Sequence, residues 1–335
     1  MELQILVLFH VMNSFGKLFS VQIFGESHGL YTGISVDGCP PGIALSEVNF
    51  EADLARRRSG SKGTTLRAEA DVPKIMTGVF NGFTTGAPIV IIFENTNMRS
   101  SDYSQFTEIP RPGHADFVAS VKYKGFSDYR GGGHFSGRVT TGLVAAGVIA
   151  KKIIAPATVT AHIHEIGGSN PWEEVIEQCI AKGDSMGGIV ECAVENIPAG
   201  WGEPFFDSVE SVIAHIAFAI PGIKGIEFGA GFAAAKMSGS EHNDPFFTAD
   251  GKTVTNHAGG INGGISNGNP IVFRVAVKPT SSIAKPQQTI NIRTGEMTTL
   301  EIQGRHDACI ALRIPSILEA ATAIALADFK LRNYK

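Results

Sequence analysis

The chain of 335 residues is poor in several things, and each shortage narrows what it can be. It has four cysteines, Cys39, Cys179, Cys192 and Cys309, and none of them form a C-x-x-C pair. That spacing argues against a structural zinc site and fits a reducing compartment. Basic residues are not in excess: 28 Lys and Arg stand against 32 Asp and Glu, a net charge of −4, so a nucleic-acid partner is not indicated. No stretch carries the ~20 unbroken apolar residues of a membrane span. Met1 to Val11 are apolar but lack a basic leader and a small-residue cleavage site, which argues against a signal peptide. There is no Pro/Ser-rich linker and no low-complexity tract. These absences lead us to expect a soluble, cytoplasmic protein with no membrane partner. It should form one continuous domain over residues 12–335, with residues 1–11 a disordered tail or an upstream-start extension.

What is present is apolar mass, glycine and unevenly placed arginine. Hydrophobic residues make up 43% of the chain, enough for a sizeable core. The 39 glycines cluster at 131–133 and 259–268, where tight loops or close ligand approach are expected. Eight of the 13 arginines (Arg56, Arg57, Arg58, Arg67, Arg99, Arg111, Arg130 and Arg138) fall between residues 56 and 138. Guanidinium forks match phosphate and carboxylate oxygens, so this concentration suits a small anionic ligand; for any single arginine, a solvated surface charge is the ordinary reading.

Apolar patterning predicts strands at 87–94, 158–166, 188–197 and 271–277. It predicts helices from a Ser46 cap to about Arg58, and at 140–155, 208–220 and 316–332. The 140–155 and 316–332 helices are apolar nearly all round, as helices sandwiched between other layers are. The fold class expected is α+β, layered, with central helices covered by sheets on both sides.

Three separated segments place a titratable group beside glycine or arginine: Gly25-Glu26-Ser27-His28-Gly29, Arg111-Pro112-Gly113-His114-Ala115-Asp116 and Gly304-Arg305-His306-Asp307. His28 and His114 can give or take protons near neutral pH. The first segment has the loose G-x-S-x-G spacing of a nucleophile elbow, but residues 30–37 alternate like a strand and the required helix is missing, which disfavours a hydrolase. Gly131-Gly132-Gly133-His134-Phe135-Ser136-Gly137-Arg138 precedes a predicted helix, and backbone N–H groups and the helix dipole would cradle an anion there. It is neither a Walker loop nor G-x-G-x-x-G. Gly263 to Asn269 leaves bare backbone for a ring system, and Lys278-Pro279-Thr280-Ser281-Ser282 offers one charge and three hydroxyls, suited to a phosphate or to a capped turn. Arg305-His306-Asp307 reads either as a proton relay or as an ion pair. His162 and His164 share one strand face without a third ligand, so no metal site is expected.

The motifs GESHG, RPGHAD, YRGGG, GGISNG, KPTSS and GRHD occur in the order and spacing of the chorismate synthases, and the resemblance runs from Met12 to about Lys330. It implies a β-α-β sandwich, a homotetramer, and conversion of 5-enolpyruvylshikimate-3-phosphate to chorismate. That reaction is an anti 1,4-elimination of phosphate and a C6 hydrogen, dependent on reduced FMN, with NADPH a candidate reductant. Carried over residue by residue, His28 would protonate the leaving phosphate, His114 would protonate the reduced flavin, and Asp307 would assist proton removal. His134, Phe135, Ser136, Arg138, Gly263, Lys278, Pro279, Thr280, Ser281, Ser282 and Arg305 would bind flavin. Arg57, Lys62 and Arg111 would contact substrate or NADPH. The chain departs from the family at Phe135-Ser136-Gly137-Arg138-Val139-Thr140, where S-S-A-R-E-T is common, and at Ala308, where proline is common. The alternative readings are a non-catalytic flavin- or anion-binding scaffold and a phosphate-ester hydrolase.

Overall fold

A computed structural model describes residues 13–60, 62–65, 70–96, 101–302 and 307–333. The chain opens with β1 (Ser14–Phe15), β2 (Ser20–Gly25), β3 (Tyr31–Asp37) and, after helix α1 (Glu51–Arg57), β4 (Lys74–Thr77). A small hairpin of β5 (Val79–Phe80) and β6 (Phe83–Thr84) leads into β7 (Ile89–Glu94), and these strands build an antiparallel sheet in the order β1-β2-β3-β7-β4. Helices α2 (Asp116–Lys122) and α3 (Thr140–Ile154) follow. Then come β8 (Thr158–Ile166), α4 (Glu173–Lys182), β9 (Gly188–Glu195), α5 (Val209–Phe218) and β10 (Ile223–Phe228). The short helix α6 (Gly239–His242) and the hairpin of β11 (Ile261–Asn262) and β12 (Ile265–Ser266) precede β13 (Ile271–Val277). The second antiparallel sheet has the order β10-β13-β9-β8. A last hairpin, β14 (Gln287–Ile290) with β15 (Met297–Leu300), leads to α7 (Ile314–Arg332).

The pleat explains the sheets. Along β7, Ile89, Ile91 and Phe93 are fully buried while the alternating residues are not, so one face enters the core. Ile34 on β3 sits opposite Ile91 in the antiparallel register and is equally buried. Helix α3 lies on β3 and β7, α7 lies on β8 and β9, and α3 and α7 pack on each other. The helical layer between two sheets is the α+β sandwich expected from the two all-apolar helices. The close crossing depends on Gly147: a Cβ there would stand 2.3 Å from Ala320 Cβ, so no side chain fits between the helices. Ile310–Arg332, the one helix among the described residues long and apolar enough to cross a membrane, is mostly buried inside this sandwich.

Two carboxylates in α7, Glu319 and Asp328, are buried. Glu319 accepts from Arg56 Nη1 and Nη2 (2.7 and 2.6 Å), from Lys151 Nζ (3.0 Å) and from the Ala161 N–H (2.9 Å), tying α1, α3 and β8 to α7. Asp328 accepts from the N–H groups of Lys17, Leu18 and Phe19 and so seats the turn before β2. Each charge is buried only because several donors surround it.

The predicted strands at 158–166 and 271–277 coincide with β8 and β13, and the predicted helices with α1, α3, α5 and α7 to within a few residues. Strand β9 ends at Glu195 because Asn196 adopts a left-handed φ of 57°. Helix α4 occupies a stretch to which the sequence analysis assigns no element.

Candidate active site

The loop between β2 and β3 carries His28, and a second antiparallel strand follows it, so the G-x-S-x-G spacing is not a nucleophile elbow here. This loop is braced from three sides. Asn95 Nδ2 donates to the Glu26 and Gly29 carbonyls (3.0 and 2.8 Å), the Ser27 N–H donates to the Gly133 carbonyl (3.0 Å), and His134 Nδ1 sits 2.8 Å from the Gly25 carbonyl. His28 is 2% exposed, and its ring meets Tyr103 edge to face, 5.2 Å between centroids. Gly131, with φ of 59°, lies so close that a Cβ would stand 2.5 Å from His28 Cδ2. Ser27, Tyr103 and Gly131 form the wall in front of this ring.

The turn before α2 carries His114. Gly113 takes a left-handed φ of 68°, and its carbonyl accepts from Lys278 Nζ (2.7 Å) and Ser281 Oγ (2.8 Å). His114 Nδ1 lies 2.6 Å from Asp116 Oδ1. Arg111 donates to Asp116 through Nε and Nη2 and to Ser282 through Nη1, and it covers the Phe106 ring at 4.4 Å. Burial works against the Asp116 charge, but hydrogen bonds and charge from Arg111 and His114 outweigh it, and the carboxyl sits well below its usual range. Arg111 therefore makes these hydrogen bonds within the protein.

Lys278, Thr280, Ser281 and Ser282 line one cavity with His114, His134, Phe135, Ser136, Arg57, Arg138 and Asp307. Its volume is about 920 Å³, at the upper end of the ~300–1,000 Å³ usual for small-molecule sites. Six cationic side chains (Arg57, Arg58, Arg138, Lys224, Lys278 and Arg313) face it against two carboxylates, Asp71 and Asp307. Burial first, and then the nearby charge of Lys224, lower the Lys278 pKa. Arg57 and Arg138 both pair with Asp71, and Arg138 Nε donates to Asn95 Oδ1 at 3.0 Å. Asp307 accepts from the Thr65 N–H at 2.6 Å and faces Arg313 Nη1 at 3.5 Å.

The remaining expected site residues lie elsewhere. Lys62 is exposed and paired with Glu177, and Pro279 is exposed. Gly263 sits in the turn between β11 and β12, off the cavity wall. Arg305 lies outside the described residues. Tyr103, His215, Lys224 and Arg313 line the cavity without a signal in the sequence reading, because each is brought there only by the fold. All four cysteines are buried. Burial pushes the thiols of Cys39 and Cys309 up to about 11 and that of Cys192 up to about 12, which disfavours a thiolate nucleophile. Among the described residues, no three His, Cys, Asp or Glu side chains converge as a metal-ligand set.

The site is a cationic cavity with histidines on its wall, in a two-sheet sandwich, of a size and charge suited to a small anionic molecule. The family model described as chorismate synthase matches residues 19–331. A chorismate synthase of Chitinophaga pinensis is 64% identical over 321 residues, covering 96% of this chain and 97% of that protein. Those of Dehalococcoides mccartyi and Thermococcus kodakarensis are 46% and 44% identical, covering 96% and 95% of this chain and 97% of each relative. A crystal structure of chorismate synthase superimposes with a TM-score of 0.72 at 24% identity, over 95% of this chain and 93% of that one, and supports the fold. The chain belongs to the chorismate synthase family, whose members are lyases.

Proposed function

We propose that this chain converts 5-enolpyruvylshikimate-3-phosphate to chorismate by anti 1,4-elimination of phosphate and a C6 hydrogen, in the cytoplasm, as one domain over residues 12–335 within a homotetramer. The observation that carries the reading is a cationic cavity into which His114, His134, Lys278, Thr280, Ser281, Ser282 and Asp307 come together from distant segments, with His28 behind its wall.

The wall fits a flavin. Thr280 Oγ1 is buried without a hydrogen-bond partner beside Ser281, and Gly131 on the same cavity wall adds no side chain. His134, Phe135, Ser136, Arg138 and Lys278 to Ser282 would hold reduced FMN, with NADPH its candidate reductant. When bound, reduced FMN would supply transient electron density to the allylic system and a site for the hydrogen that leaves C6. His28 delivers a proton to the departing phosphate, and the cationic wall stabilises the charge that develops on it. His114 would present Nε2 as the ring atom that exchanges a proton with the bound reduced ring. Asp307 holds a carboxylate ready to accept a proton there. Arg57 and Arg138, on the cavity wall with Asp71, would add positive charge toward the substrate's anionic groups.

His28→Ala and His114→Ala should each lower turnover by roughly 10²-fold or more, a typical acid–base contribution, with the fold retained. Wild-type rates in both variants contradict the assigned roles. FMN binding without turnover in the wild-type protein favours the scaffold reading instead.

A further inference from the structure

We infer that Asp116 is a positioning residue for this reaction: its carboxylate holds the His114 imidazole with the Nδ1 proton inward and Nε2 toward the cavity. The inference rests on the reading of His114 as a proton donor. Two groups approach His114 Nδ1, Asp116 Oδ1 at 2.6 Å and Arg111 Nη2 at 3.1 Å. A guanidinium only donates and a carboxylate only accepts, so the two contacts ask opposite things of one nitrogen. The carboxylate contact is shorter and charge-assisted, so Nδ1 carries the proton and donates it to Asp116. Arg111 does not need the imidazole. Its Nε and Nη2 each donate to Asp116 at 2.8 Å, and its Nη1 donates to Ser282 Oγ at 3.1 Å.

The carboxylate itself cannot turn away. Its side chain is 8% exposed, and Oδ2 also accepts the Arg111 N–H at 3.1 Å. With Nδ1 committed, Nε2 is the ring atom left to exchange a proton with a ligand. The ring is not closed off, since His114 lines the cavity and its side chain is 24% exposed. Neutral His114 therefore presents a lone pair at Nε2 and protonated His114 presents a proton, without rotation of the ring. The buried Arg111 orients Asp116, Asp116 orients His114, and the sequence Arg-Pro-Gly-His-Ala-Asp carries all three in one turn.

Asp116→Asn keeps the shape but can accept or donate, so it no longer dictates the tautomer. The variant should lower kcat by about 10- to 10²-fold, part of an acid–base contribution, and leave KM within about twofold. In a His114→Ala background the same change should lower kcat by less than about twofold, because its effect runs through the imidazole. An equal loss in both backgrounds means that Asp116 acts through Arg111 or the fold, and overturns the inference. Low turnover in His114→Ala beside full turnover in Asp116→Asn overturns it alone. Full turnover in His114→Ala overturns the proton-donor reading and this inference with it. Nitrogen NMR of the wild-type protein labelled with ¹⁵N-histidine gives an answer that needs no variant. Neutral His114 protonated at Nδ1 is the expected result, and the Nε2-protonated tautomer contradicts it.

Discussion

Replacing Gly131 by alanine tests whether the glycine run exists to seat His28. Gly131 has φ of 59°, and a methyl group there would stand 2.5 Å from His28 Cδ2, 2.6 Å from Nε2 and 2.9 Å from Ser27 Oγ. Carbon atoms pack best at ~3.5–4.0 Å, so the imidazole must move by about 1 Å. It has little room, being 2% exposed with Tyr103 on its edge. The left-handed backbone costs an alanine about 1 kcal/mol and the forced repacking about 1–3 kcal/mol more, for a total of about 2–4 kcal/mol. Gly82 is the matched control, since its φ is 79° but nothing lies within 4 Å of its Cβ position. Gly82→Ala should cost about 1 kcal/mol and leave turnover unchanged. With an unfolding entropy of about 0.7 kcal/mol/K for a chain of this length, the melting midpoints should fall by about 3–6 °C for Gly131→Ala and about 1.5 °C for Gly82→Ala. Turnover in Gly131→Ala should fall about 10²-fold, as for loss of the imidazole. Equal midpoints and unimpaired turnover in the two variants refute the reasoning.

Glu319→Gln breaks a buried charge cluster. Arg56 and Lys151 are partly exposed and can turn to water, so the cost should be about 2–4 kcal/mol in denaturant unfolding, at the low end for a broken buried pair. Burial alone would raise the Glu319 pKa, yet the bonds from Arg56, Lys151 and the Ala161 N–H hold it below its ordinary 4.5. A depressed carboxylate stabilises the fold at pH above its unfolded value and loses that contribution as pH falls through the folded value. The wild-type protein should therefore lose stability as pH drops below about 4.5 more steeply than Glu319→Gln does; parallel curves contradict the clasp. Nothing lies within 4 Å of the Cβ position of Gly137, and its φ is not left-handed. Gly137→Ala should stabilise the protein by about 0.4–1 kcal/mol in the same assay, and a loss means that the surrounding backbone depends on glycine.

The sandwich was legible because its signals are local. The alternation in Ile89 to Glu94 and the largely apolar run of Thr140 to Ile154 each state which layer they belong to. What escaped is non-local. Glu319 lies 263 residues from Arg56, and no sequence pattern announces that pair. The arginine concentration was read as a supply of ligand contacts, yet Arg56, Arg57, Arg111 and Arg138 all hold carboxylates of the chain itself. A guanidinium in a low-dielectric interior needs a fixed anion whether or not a ligand is near. The histidine loops were found from their flanking glycines, and their convergence depends on bonds such as Lys278 to the Gly113 carbonyl that link segments 165 residues apart. Helix α4 went unassigned although Ile176 and Cys179, its two buried residues, stand at i and i+3, a stripe too narrow to stand out from its acidic face.

The most direct test is an anaerobic assay of the whole protein with 5-enolpyruvylshikimate-3-phosphate and chemically reduced FMN, following chorismate and phosphate together. Equal release of both, strictly dependent on reduced flavin, is the predicted result. Phosphate without chorismate, or neither product while FMN remains bound, contradicts the account.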